Sequence, residues 1–224
     1  MVVATRQSES LFSNGRLLDE DKIKRALDKA SELGAEYAEI RLVSQTTNTA
    51  SLKDGKLERA IPGQEIGVTM RILADGAWGV HSTSDIASIS DQVAPTLRLA
   101  KAVAARRSSS QHPVGLAEVP IIEDVTHWRS AKDVRETDLD TRIEMMLAID
   151  NEAKDHEKIV STSTGWSDEH IHTELMTTEG MNRVWSFQRS LINGMVTARD
   201  GNDVVSYRMR HGGEGGLEVI ESCD

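Results

Sequence analysis

Apolar and polar residues alternate through Ser51 to Thr83, where Ile66, Val68, Met70 and Ile72 are interleaved with Gly67, Thr69 and Arg71. A period of two predicts strands with one buried face and one wet face. Two Asp-Gly pairs, Asp54-Gly55 and Asp75-Gly76, punctuate the stretch. Each supplies the two positive-φ positions of a type I′ turn, so the region reads as an antiparallel meander. Ahead of it the period becomes helical: Ile23, Ala26, Leu27, Ala30 and Leu33 form one stripe, with Asp19 or Asp21 as N-cap and Gly34 placed for a left-handed C-cap. Between helix and meander, Ala38, Ile40 and Leu42 alternate with polar neighbours from Glu36 to Ser44, which predicts a further strand.

A further helix closes this first half, and the second half, beyond a linker, repeats the order of helix and meander. A helical stripe from Ser84 to Arg107 contains Pro95, which forces the helix to kink or to begin late. The Ser-, Pro- and Gly-bearing stretch at 108–120 reads as a linker. Thr137 and Asp140 then form a capping-box variant ahead of Leu139, Ile143, Met146, Leu147 and Ala153, a helix running to about Asp155. Strands follow at Ile159 to Trp166, Ile171 to Thr178, Arg183 to Gln188, Leu191 to Ala198 and Val204 to Met209, with turns at Glu179-Gly180 and Asp200-Gly201. The spacing from Gly55 to Gly76 equals that from Gly180 to Gly201, as expected of two stretches with similar strand lengths. The expectation is an α+β chain of two similar lobes, each a helix followed by an antiparallel β-meander. Its parts are a loose arm at 1–18, a first lobe at 19–107, the linker at 108–120, a second lobe at 121–210 and a glycine-rich tail at 211–224 that forms a flexible hinge.

Composition narrows the partners. The 224 residues carry a net charge of -10 and only 4% aromatic side chains, so the core rests on aliphatic residues and no nucleic-acid partner is expected, since phosphate binding needs clustered Lys and Arg. Cys223 is the single cysteine, which excludes an internal disulfide and favours a reducing, cytoplasmic setting. No apolar run is long enough for a membrane span or a secretory core at the N-terminus, so no membrane partner is expected.

Candidate chemistry is sparse. His170, His172 and Glu174 stand two residues apart, which on a strand places them on one face as candidate metal ligands; the competing reading is the wet face of a half-buried strand. His156-Glu157 begins like a helical zinc motif, but Val160 stands where the second histidine would be. Ser161, Ser163 and Ser167 lack a nucleophile-elbow context. Cys223 has no activating base, and the glycines of His211 to Gly216 lack the spacing of a phosphate loop. Trp78, Trp166 and Trp185 read as sheet packing; Arg41, Arg71, Arg183 and Arg208 lie in predicted strands, where they either bind peptide carboxylates or line wet sheet faces, the second being the default. No catalytic residue is assigned.

Several strings resemble the N-terminal domain of the TldD/PmbA family: GAEYAEIRL from Gly34, DGKLE from Asp54, GVTMRILADGAWGVHST from Gly67 and HGGEGGLEVI from His211. The resemblance implies an α+β N-terminal domain preceding a β-rich catalytic domain whose His-Glu-x-x-x-His helix binds zinc, in a dimer that degrades or trims small or unfolded peptides. This sequence contains no such motif, and Ser161 stands at the position five residues after His156. The resemblance therefore implies a non-catalytic, cofactor-free part of a metallopeptidase that guides peptide to zinc carried by a C-terminal half or a partner, as a homodimer or a heterodimer with a TldD/PmbA-type subunit. The alternatives are a stand-alone binding or assembly module and a small metalloprotein built on His170, His172 and Glu174.

Overall fold

The two Asp-Gly turns form as the sequence dictates: Asp54 and Gly55 take φ of 51° and 79°, and Asp75 and Gly76 take 51° and 67°. They separate β1 (Tyr37–Lys53), β2 (Lys56–Ala74) and β3 (Ala77–Thr83). The structure, a computed structural model, describes residues 16–108 and 112–222. Most of the expected arm at 1–18, part of the linker at 108–120 and Cys223 lie outside the described residues. Helix α1 (Glu20–Glu32) precedes β1, and α2 (Val93–Ala105) follows β3 after a 3-10 turn at Ile86–Gln92. Then come β4 (Glu123–His127), α3 (Leu139–Lys154), β5 (Ile159–Thr177), β6 (Asn182–Asp200), β7 (Asp203–Glu214) and the short α4 (Glu218–Glu221). The fold is α+β, and its strands are hydrogen-bonded in the order β3-β2-β1-β5-β6, with β4 and β7 each pairing β6.

The chain forms two compact units, each assembled from three separated stretches. The first takes Met1–Ser44, Ile66–Thr126 and His172–Trp185; the second takes Gln45–Glu65, His127–Ile171 and Ser186–Asp224. Long strands supply residues to both, so proximity in space and order along the chain divide the molecule differently. The consecutive lobes at 19–107 and 121–210 are kept as a proposal about how the chain is built.

In the first unit, Asp19 caps α1 by accepting from the Lys22 amide at 2.9 Å, and Gly34 (φ 91°) ends it. The Gly34 and Ala35 amides reach back to Ser31 and Ala30, a Schellman closure. The helix buries Ile23, Ala26, Leu27 and Ala30, while Leu33 is exposed at the turn. α2 begins late, as Pro95 requires: the proline sits in the first turn, where its missing N–H has no intrahelical acceptor. Both helices cover Ala38, Ile40, Leu42, Val68, Met70 and Ile72. α2 lies against β3 so closely that a Cβ on Gly79 would stand 2.2 Å from the Thr96 carbonyl oxygen.

The second unit departs from expectation in its helix. The cap of α3 is Asp138, whose carboxylate accepts from the Thr141 amide at 2.7 Å, rather than Thr137. Its buried stripe is Arg142, Met146 and Asp150, and Leu139 is exposed. These three are spaced by four, so they share a face just as an apolar stripe would. Met146 joins Ala50, Leu52, Val134, Trp166, Ile192, Leu217 and Ile220 in a second core.

Three further expectations are corrected. The two strands expected at Ile159 to Trp166 and Ile171 to Thr178 are one strand, and so are those at Arg183 to Gln188 and Leu191 to Ala198. The last hairpin turns one residue later than Asp-Gly would place it. Asp200 pairs with Asp203, which leaves Gly201 (φ 59°) and Asn202 central, the type II′ pattern with glycine first. The tail is no flexible hinge over its first part: His211 to Glu214 complete β7 opposite Ile192 to Arg189.

Candidate functional site

The candidate metal ligands do not converge. His172 and Glu174 lie in the first unit and His170 in the second. The Glu174 carboxylate is fully buried and already engaged: Oε1 takes His172 Nε2 at 2.9 Å and the Leu17 amide, and Oε2 takes the Leu18 amide at 3.1 Å. Each acceptor oxygen is thus spent on protein donors that fasten the approach to α1. No group of three His, Cys, Asp or Glu side chains among the described residues is placed to hold a metal ion. The residues present do not fit a zinc centre, and no chemistry is derived through one. Nor are His172 and Glu174 on a wet face, since both are buried.

On the sheet face of the first unit opposite its helices, a polar cluster forms. Glu39 accepts from Arg71 Nε at 2.7 Å and from the Tyr37 hydroxyl at 2.8 Å, and the Arg71 guanidinium lies 4.9 Å from the Trp78 ring centre. Burial opposes ionisation of Glu39, but the bonds from Arg71 and Tyr37 outweigh it and hold its pKa below the ordinary carboxylate value. Burial, reinforced by Glu39, pushes the Tyr37 hydroxyl strongly upward. Arg183 similarly pairs with Asp124 at 2.7 Å beside Trp185. All these groups satisfy one another, which makes them structural.

The open surface belongs to the second unit, on β6 and β7. Directly opposed residues of an antiparallel pair share a face. One face of this ribbon therefore carries Arg189, Leu191 and Asn193 opposite Glu214, Gly212 and Arg210, and continues with Thr197 opposite Ser206. A cleft of about 640 Å³ lies over it, lined also by Ser167 and Glu169. Arg189 approaches Glu169 at 3.4 Å. The other face carries Ile192, Gly194, Val196 and Ala198 opposite His211, Met209, Tyr207 and Val205. A groove of about 510 Å³ opens there between the ribbon, α3 and α4, lined by Met145, Ile149, Ile192, Met209 and Ile220. Gly194 makes room for it, because the Met209 side chain crosses where a Cβ would stand, at 3.1 Å. The ribbon is thus charged on one face and apolar on the other, and β7 has no strand on its outer edge among the described residues.

The comparisons with known proteins bear on this architecture directly. Residues 38–108 match the family model of PmbA/TldA metallopeptidase domain 1, and residues 132–223 match that of the PmbA/TldA metallopeptidase central domain. The chain belongs to the PmbA/TldD metallopeptidase family. A metalloprotease of Methanothermobacter thermautotrophicus is 25% identical over 189 residues, which are 84% of this chain and 40% of that protein. A metalloprotease of Methanocaldococcus jannaschii is 28% identical over 190 residues, 84% of this chain and 41% of that protein. The chain therefore spans about two fifths of the length of these curated relatives.

Solved structures share the fold. A proposed modulator of DNA gyrase from Thermotoga maritima aligns with a TM-score of 0.66 at 16% identity, covering 92% of this chain and 44% of that one. Another from Bacteroides thetaiotaomicron gives 0.64 at 19% identity, covering 88% and 46%. TldE from Thermococcus kodakarensis gives 0.58 at 12% identity, covering 85% and 42%. Of the two ribbon faces, the sequence alone points to Arg208, as a residue that either binds peptide carboxylates or lines a wet sheet face. The signal was present in the alternation of Val205, Tyr207 and Met209 with Ser206, Arg208 and Arg210.

Proposed function

We propose that this chain is a non-catalytic part of a TldD-like metallopeptidase, and that it guides extended or unfolded peptide to a zinc site borne outside these 224 residues. The site would lie on a further segment or on a TldD/PmbA-type partner subunit, in the cytoplasm. Membership of a metallopeptidase family supports the reaction class, and the donor set of this chain, which holds no His-Glu-x-x-x-His and no convergent ligand group among the described residues, supports placing the metal elsewhere. The observation that carries the guiding role is the open outer edge of β7. Backbone N–H and C=O groups on a free edge pair with any extended peptide regardless of its sequence, which suits a protein that receives unfolded chains. The other lateral edge of the second unit, the first half of β2, contains Pro62 and the charged Lys56, Glu58, Arg59 and Glu65. Proline and charge are the usual protection of an edge against pairing, and β7 lacks the proline.

The experiment is peptide turnover by a His-Glu-x-x-x-His-bearing family subunit with and without this chain. An increase in kcat/KM on unfolded peptides when the chain is present is expected. Full turnover in its absence sinks the proposal and favours a stand-alone binding or assembly module.

A further inference from the structure

The side chains flanking the β7 edge specify what an added strand must carry, a step that rests on the guiding role proposed above. On one face, Val205 (68% exposed), Tyr207 (70%) and Met209 continue the apolar groove beneath α3 out towards the hairpin tip. On the other, Arg208 and Arg210 stand two residues apart, both exposed, and neither forms an ion pair with a described residue. On the apolar side Asp203 shares the face of β7, and Glu152 and Glu221 line the groove, Glu221 paired with Lys132; on the arginine side Glu169, which Arg189 approaches, and Glu214 line the cleft beside Arg210. An incoming strand places successive side chains on alternate faces.

From this we infer that the β7 edge is a docking site for an extended peptide in which apolar residues alternate with acidic ones. The apolar side chains lie beside Val205, Tyr207 and Met209, and the acidic ones lie beside Arg208 and Arg210. Asp203 and Glu152 repel an acidic side chain from the apolar face and so set which way round the strand lies. Main-chain pairing supplies affinity and the two faces supply selectivity.

The test uses the whole chain and three fluorescein-labelled octapeptides: alternating Val and Glu, alternating Val and Lys, and four Val followed by four Glu. Fluorescence anisotropy reads the dissociation constants. The alternating Val/Glu peptide is expected to bind about ten-fold more tightly than either of the others, since two exposed charge pairs contribute a few-fold each. The double substitution Arg208→Glu, Arg210→Glu is expected to reverse the preference towards the Val/Lys peptide; both side chains are exposed, so the fold does not depend on them. Equal binding of the Val/Glu and Val/Lys peptides overturns the inference while leaving a sequence-independent guiding edge intact. Equal binding of the block peptide overturns it as well, because alternation then plays no part. Binding of none of the three overturns both the inference and the guiding role.

Discussion

Arg142 and Asp168 form a buried ion pair, Nε to Oδ2 at 2.6 Å, with the two side chains 3% and 0% exposed. Asp168 also accepts from Arg142 Nη2 at 3.1 Å, Trp166 Nε1 at 2.7 Å and Asn48 Nδ2 at 2.8 Å, while Arg142 donates to the carbonyls of Val134, Thr137 and Asp138. The pair ties α3, β5 and β1 to the loop before α3, and every strong donor and acceptor in it is used. Replacing only Asp168 strands a guanidinium in the core. Asp168→Ala is expected to lower stability by about 3–5 kcal/mol in urea unfolding. Arg142→Met combined with Asp168→Leu is expected to cost markedly less, since neither charge is then left buried and alone; equal losses would show that packing, not the ion pair, is at stake.

The same pair explains where sequence reading stopped. The helix of the first unit was legible because its buried face is Ile23, Ala26, Leu27 and Ala30, and the Asp-Gly turns because glycine and aspartate tolerate positive φ. α3 hides its buried face: Arg142 and Asp150 stand where apolar residues signal a core, and their partners on β5, Asp168 and Thr164, are not visible locally, although Asp150 also pairs with Lys154 one turn on at 2.9 Å. β5 looked broken at Ser167 to His170 for that reason, since a buried aspartate reads as a loop until its partner is known. β6 looked broken at Arg189-Ser190, yet Gln188 is buried with Oε1 accepting from the Val134 amide, and Ser190 is buried facing the Gly215 carbonyl. Candidate ligands His172 and Glu174 were visible as a pattern, but nothing local shows that Glu174 is committed to the amides of Leu17 and Leu18.

Close approach of β3 and α2 gives a prediction in the first unit. A Cβ at Gly79 would stand 2.2 Å from the Thr96 oxygen and 2.9 Å from the Ala100 nitrogen, both backbone atoms that a rotamer change cannot move. Gly79→Ala is expected to destabilise by about 1–3 kcal/mol, the usual range for overpacking. Gly67, on β2, has only the Thr83 oxygen at 3.8 Å, an ordinary contact, so Gly67→Ala is expected to be neutral or slightly stabilising. Thermal unfolding of the two variants side by side checks the contrast, and a Gly79→Ala protein as stable as the wild type contradicts the packing described.

Acid sensitivity of the second unit is expected to pass through Asp133. Burial would raise its pKa, but the Arg135 side chain and amide, with Gln188, outweigh burial and bring it down to about 2 from an ordinary 3.8. A carboxylate whose folded pKa is depressed stabilises the fold above its unfolded pKa, and that contribution disappears as pH falls through the folded value. Asp133 should therefore contribute its full share, up to about 2 kcal/mol, above pH 4 or so, and lose it between about pH 4 and pH 2. The stability difference between wild type and Asp133→Asn, followed by urea unfolding across that window, is expected to shrink as pH falls. A difference that stays constant means the carboxylate is not held by Arg135.

The two arginines of β7 bear on solubility as well as on recognition. An edge strand with exposed Val204, Val205, Tyr207 and Met209 is a template for pairing with another copy, and a charge beside the edge is one of the few devices that discourages it. Arg208 and Arg210 bring two like charges to the same stretch, so two copies approaching edge to edge in antiparallel register place four guanidinium groups together. Arg208→Thr with Arg210→Thr keeps strand propensity and removes that repulsion. The double variant is expected to self-associate at protein concentrations where the wild type does not, and Tyr207→Lys added to it is expected to reverse the effect by placing a charge on the apolar face. Sedimentation velocity across a concentration series reads both. Identical sedimentation of the wild type and the Thr variant would mean that the edge is guarded by something other than its arginines.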